Sequence, residues 1–132
     1  MRQYSKNANL FFLIGLVFLI SCKKENDNGG GIKSRIVKYE ITGNFTGKLI
    51  VIYNDNVNGN AVLNDVTLPF LKDTIYPDNI TGIGIGAQAS IPGLSGQTAT
   101  MKIYSGGTLV KTVSATAGSM GELVLPSIAY TF

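Results

Sequence analysis

Histidine and tryptophan are absent from the 132 residues, and cysteine occurs once. Without histidine the chain lacks the commonest general base and the commonest metal ligand. One cysteine closes no internal disulfide and builds no cysteine-based zinc site. Charge is scarce as well, at 14% of residues against roughly a quarter in typical domains. Serine and threonine are plentiful, but none has a histidine partner or sits in a nucleophile elbow. Serine–lysine catalysis would need a lysine held in a pocket, and the lysines here fall on alternating strand faces. These absences argue against an enzyme, a bound metal and a cofactor. What is present is glycine, at 16 residues, with six tyrosines and six phenylalanines, enough for a core. The length admits one domain. The balance favours a small β-rich binding or accessory module.

Residues 1–21 read as a sorting signal. Arg2 and Lys6 supply positive charge, and Leu10 to Ile20 is an apolar run of 11 residues. As a helix it would reach roughly 17 Å, too short for a hydrocarbon core of about 30 Å. A basic start, a short apolar middle and a small residue before the cut fit a secretory signal. The run ends in Leu19-Ile20-Ser21-Cys22, which resembles the bacterial lipobox. That resemblance implies a diacylglycerol on the Cys22 thiol, cleavage before Cys22 and acylation of the new amine. The plainer alternative is an ordinary signal peptide or an uncleaved anchor helix with Cys22 incidental. A sole cysteine at this position favours the lipobox. Each buried acyl CH₂ contributes about 0.8 kcal/mol, so two or three chains give a stable anchor without a spanning segment.

Cleavage removes Arg2 and Lys6, and a formal charge of +3 falls to +1. No nucleic-acid footprint remains, so a nucleic-acid partner is not expected. Residues 22–34 are polar, charged and glycine-rich, and read as a flexible tether with a reach of roughly 15–20 Å. Lys23 follows the cysteine where an aspartate would resemble an inner-membrane retention signal. The expected location is therefore the cell envelope, on the outer rather than the inner membrane. The domain would sit in the periplasm or at the surface.

From residue 35 to 132 a two-residue period takes over. Val37, Tyr39 and Ile41 alternate with Lys38 and Glu40. Lys48 to Tyr53 is a continuous apolar run, expected to be a strand buried on both sides. Further strands are expected over 61–68, 70–75, 80–89, 98–104, 109–115 and 122–132. Ser105-Gly106-Gly107-Thr108 is a tight hairpin turn. Seven or eight short strands with Gly, Asn and Pro between them predict an all-β, immunoglobulin-like antiparallel β-sandwich.

Four further features carry candidate chemistry. Asn54-Asp55-Asn56-Val57-Asn58-Gly59-Asn60 resembles the start of a calcium loop, with Asp65 at the twelfth position. Position one is Asn, the last ligand is not Glu and no helices flank it, so a hairpin loop is expected instead. Gly82-Ile83-Gly84-Ile85-Gly86 is not a dinucleotide fingerprint. Its alternation leaves one sheet face as bare backbone. Either a neighbour packs closely there, or the face is a floor for an acyl chain, a ring or a partner strand. Asp73-Thr74-Ile75 matches a pattern that resembles an O-glycosylation acceptor of some envelope proteins. A glycan site built on stacked aromatics would have only Tyr39, Tyr53, Tyr76, Tyr104 and Tyr130 to use.

The run Val37-Lys38-Tyr39-Glu40-Ile41-Thr42-Gly43 resembles the V-x-Y-E-V-x-G opening of the mycobacterial membrane protein small (MmpS) family. Leu49 to Tyr53 is similar to that family's second strand, and Leu68-Pro69-Phe70 to its L-P-W step. Met101 to Gly107 is similar to its R-I-Y-x-D-G hairpin, and Leu109-Val110-Lys111 to its K-V-V return. The resemblance spans about residues 36–115. It implies an immunoglobulin-like sandwich beside a membrane. It also implies an accessory role next to resistance-nodulation-division type exporters of lipids or siderophores. The chain departs from the family in carrying a lipid anchor in place of a spanning helix and in lacking a cysteine pair. The expected function is a lipid-anchored envelope accessory protein that assists a membrane transporter or its cargo. The alternative is a surface lipoprotein that binds a glycan or lipid.

Overall fold

Alternation of apolar and polar residues builds β1 (Ile36–Gly43), whose Val37, Tyr39 and Ile41 are fully buried while Lys38 and Glu40 face outward. The computed structural model describes residues 34–132. The signal segment, Cys22 and the tether up to residue 33 lie outside the described residues. Seven more strands follow: β2 (Lys48–Asp55), β3 (Gly59–Val66), β4 (Phe70–Ile75), β5 (Gly82–Ile91), β6 (Thr98–Ser105), β7 (Thr108–Thr116) and β8 (Val124–Thr131).

They form two four-stranded sheets, in the orders β4-β1-β6-β7 and β3-β2-β5-β8. Every pairing is antiparallel. The sheets pack against each other as a β-sandwich. The first sheet contributes Val37, Tyr39, Ile41, Ala99, Met101 and Ile103 to the core, and the second contributes Leu49, Val51, Tyr53, Ile83, Ile85 and Leu125. Each fully buried Ile, Leu or Val side chain stabilises the fold by about 1.5–3 kcal/mol relative to exposure.

Turn chemistry sets the connections. Gly106 and Gly107 have φ of 57° and 82°, the two positive values that a type I′ hairpin between β6 and β7 requires. A cis peptide bond joins Leu68 to Pro69 between β3 and β4.

One expectation fails. The run from Lys48 to Tyr53 is not buried on both sides. Leu49, Val51 and Tyr53 point into the core, whereas Ile50 is half-buried and Ile52 is 46% exposed. No helix or third layer covers β2 on that side among the described residues, so its outer apolar side chains meet solvent.

Both ends of the sandwich are tied. Where the described chain begins, Ser105 Oγ donates to the Ser34 carbonyl at 2.6 Å and Gly106 N–H to the Ile36 carbonyl at 2.8 Å. The Arg35 guanidinium lies 4.3 Å above the Phe132 ring and donates to the carbonyls of Ile80, Pro77 and Asp78. At the opposite end the Gln97 side-chain oxygen accepts from Thr46 N–H (3.0 Å), Thr46 Oγ1 (3.0 Å) and Leu94 N–H (2.9 Å). That one carboxamide fastens the β1–β2 loop to the β5–β6 loop. Gly93 N–H then reaches the Gly121 carbonyl of the β7–β8 loop at 2.9 Å.

Candidate binding face

The outer face of the second sheet carries the glycine column of β5. Ile83, Ile85 and Ala87 turn into the core, which leaves Gly84, Gly86 and Gln88 pointing outward. Gly86 pairs with Ile52 of β2, and Gly84 with Ala129 of β8. With no side chain at Gly84 and Gly86 on the middle strand, the flanking strands become walls. Ile50, Ile52 and Asn54 stand on one side, and Val124, Pro126, Ser127 and Ala129 on the other. The result is an open trough of about 420 Å³.

Close packing is seen at both glycines. Gly86 is held by close packing: a Cβ there would collide with the Ser127 hydroxyl and lie 3.3 Å from Ser127 Cβ. The bulge between the Ile85 and Ala87 pairings brings Ser127 this near. Gly84 is tight as well, against backbone. A Cβ there would project into the trough, 3.1 Å from the Ile128 carbonyl oxygen and 3.6 Å from Asn54 Oδ1.

No acidic or basic side chain lines the trough on either wall. Its polar groups are neutral. Asn54 Nδ2 donates to Asn60 Oδ1 at 2.8 Å across the β2–β3 hairpin. That bond leaves the Asn54 oxygen and the Asn60 nitrogen open. Gln88 and Ser127 make no side-chain hydrogen bond among the described residues. In the sequence the glycine column and the apolar run of β2 are separate features. Their register, Ile52 opposite Gly86, is what joins them.

The outer face of the first sheet is the opposite in character. Glu40 lies between Lys102 (2.9 Å) and Lys38 (3.5 Å), and Lys38 Nζ sits 4.3 Å above the Tyr104 ring. The hydrogen bond from Lys102 holds the Glu40 carboxyl below the usual carboxylate range, against a smaller opposing effect of desolvation. The same bond raises Lys102.

The other sequence candidates resolve as follows. Cys22 lies outside the described residues. The Asn54–Asn60 run is a hairpin loop, and Asp65 stands at the far end of β3 from it. Among the described residues no three His, Cys, Asp or Glu side chains gather to hold a metal ion. Thr74 is 8% exposed. Its hydroxyl is buried beside Tyr76 without meeting hydrogen-bond geometry with any partner, so in the folded domain it is not presented as a glycan acceptor. Tyr39, Tyr53 and Tyr76 are core residues. Tyr104 lies under Lys38 and Tyr130 packs edge-on against Phe132 at 5.5 Å. The tyrosines therefore form no exposed stacking platform.

No model of a known protein family matches the chain, and no curated protein sequence matches it.

Proposed function

We propose that this chain is a lipid-anchored accessory module of a bacterial cell envelope that assists a membrane transporter or its cargo. The carrying observation is the sole cysteine, Cys22, at the end of Leu19-Ile20-Ser21-Cys22, followed by a polar tether and then by the sandwich. A diacylglyceryl group on Cys22 would hold the body at the outer membrane through a polar, glycine-rich segment of about a dozen residues. The order of the motifs that resemble those of the MmpS family is the support for a partner of the resistance-nodulation-division type. The reading needs no catalytic residue and no cofactor.

Strand connections support an immunoglobulin-like variant of the sandwich. β1 pairs with β4, β2 with β5, and β2 runs into β3 as a hairpin. These correspond to the B·E and C·F pairings and the C–C′ hairpin of immunoglobulin domains. The β6–β7 hairpin would then occupy the edge beside β1 where strand A lies in those domains.

A second reading, a ligand-binding lipoprotein, is favoured by the trough over Gly84 and Gly86. Two measurements test the proposal, and the second separates it from the ligand-binding reading. Cys22→Ala should release the protein from the membrane fraction. Crosslinking in intact envelopes should then join the wild-type chain to a transporter subunit. A membrane-bound Cys22→Ala variant overturns the anchor, and crosslinks to no membrane protein overturn the accessory role.

A further inference from the structure

We propose that the trough over Gly84 and Gly86 is a seat for a neutral saccharide. This rests on the second reading above, in which the chain is a ligand-binding lipoprotein, and it names the ligand class.

Three observations carry the inference. First, charge: the trough's lining holds no acidic or basic side chain, whereas the other sheet's outer face carries Lys38, Glu40 and Lys102 in contact. An anionic headgroup or acidic glycan would find no countercharge here, and desolvating it would go uncompensated. Second, the open neutral groups: the Asn54 oxygen, the Asn60 nitrogen, Gln88 and Ser127 surround an apolar strip made of Ile50, Ile52 and glycine backbone. A sugar ring matches that pattern. Its C–H face lies on the apolar strip, and its hydroxyls donate to and accept from carboxamides. An acyl chain would use the strip and leave the carboxamides without a role.

Third, size. A volume of about 420 Å³ falls in the small-molecule range of about 300–1,000 Å³. A face of four strands about 4.8 Å apart and eight residues long covers on the order of 500 Å². That falls short of the ~800 Å² per partner of a stable protein interface. The seat does not depend on aromatic stacking. The aliphatic wall and the flat glycine floor take the place of a ring platform, which predicts weak, millimolar affinity.

The test uses the full lipidated chain in detergent, labelled on isoleucine methyls and backbone amides. It is titrated separately with cellotriose, maltotriose, mannotriose and chitotriose, and with sialyllactose and dodecanol as anionic and acyl comparisons. The expected result is saturable shifts at Ile50, Ile52, Gly84 and Gly86 with at least one neutral saccharide and with neither comparison. Ile52→Lys adds a charge to a wall position already open to water and should weaken that binding about tenfold without moving the melting temperature. Gln88→Ala, an exposed change, should weaken it as well. The inference is overturned if no neutral saccharide shifts these signals, if both variants bind as wild type does, or if only sialyllactose or dodecanol fills the trough. None of these results bears on the Cys22 anchor or on crosslinks to a transporter, so the two proposals fail separately.

Discussion

The Tyr39 hydroxyl meets the Tyr76 hydroxyl at 2.7 Å in the core, and Tyr76 donates its own proton to the Asn54 carbonyl. Tyr76 has only one proton, so Tyr39 is the donor to Tyr76. The chain of bonds runs from β1 in the first sheet, through the segment after β4, to β2 in the second. Removing its middle member strands two buried partners at once. Tyr76→Phe should therefore cost about 2–3 kcal/mol, against about 1 kcal/mol for Tyr39→Phe. The double variant should cost less than the sum. Urea unfolding of the three variants checks the order.

Acid and alkali should act through partly different groups. Hydrogen bonding from Lys102 lowers the Glu40 carboxyl, so its contribution is full above the ordinary carboxylate pKa of about 4.3. It is lost as pH falls through the lower folded value. Burial raises the hydroxyls of Tyr39 and Tyr76. Their contribution is full below about pH 10 and is lost as pH rises above it. Melting curves against pH should show both limbs, and Glu40→Gln should flatten the acid limb and remove the Lys102 share of the alkaline limb while leaving the tyrosine share.

Much of the sheet pattern is legible in the sequence because a strand with one buried face must alternate. Val37, Tyr39 and Ile41 in β1, and Ala99, Met101 and Ile103 in β6, announce their inward side directly. Gly106-Gly107 marks its hairpin because few other residues take two positive φ values in a row. The trough is not legible, for a physical reason. In Lys48–Tyr53 both faces are apolar, so alternation carries no sign of which side is covered. Only cross-strand register sets Ile52 against Gly86. Tyr76 is similar. Beside Pro77 and Asp78 it reads as part of a turn, yet long-range bonds to Tyr39 and Asn54 bury it. Cys22 is the reverse case: the proposed anchor rests on the local chemistry of four residues, independent of the fold.

Gln97 holds two loops with one oxygen, accepting from the backbone and side chain of Thr46 and from the Leu94 backbone. These bonds are exposed, so Gln97→Ala should cost only about 1 kcal/mol. The sharper readout is local. Amide exchange at Thr46 and Leu94 should accelerate while that of β1 and β6 stays as in the wild type.

Thr74 has its hydroxyl enclosed next to Tyr76. The Asp73-Thr74-Ile75 peptide should therefore be recovered from the native host without a sugar. Replacing Thr74 by Val, which removes the unpaired hydroxyl at nearly constant volume, should leave stability unchanged or raise it by up to about 1 kcal/mol. Peptide mass spectrometry and thermal unfolding decide the two points.

Intact mass spectrometry of the protein from its native bacterial membrane tests the account most directly. The expected species begins at Cys22, carries a diacylglyceryl thioether and has an acylated amine. A chain that keeps Met1 and a free Cys22 thiol would contradict it.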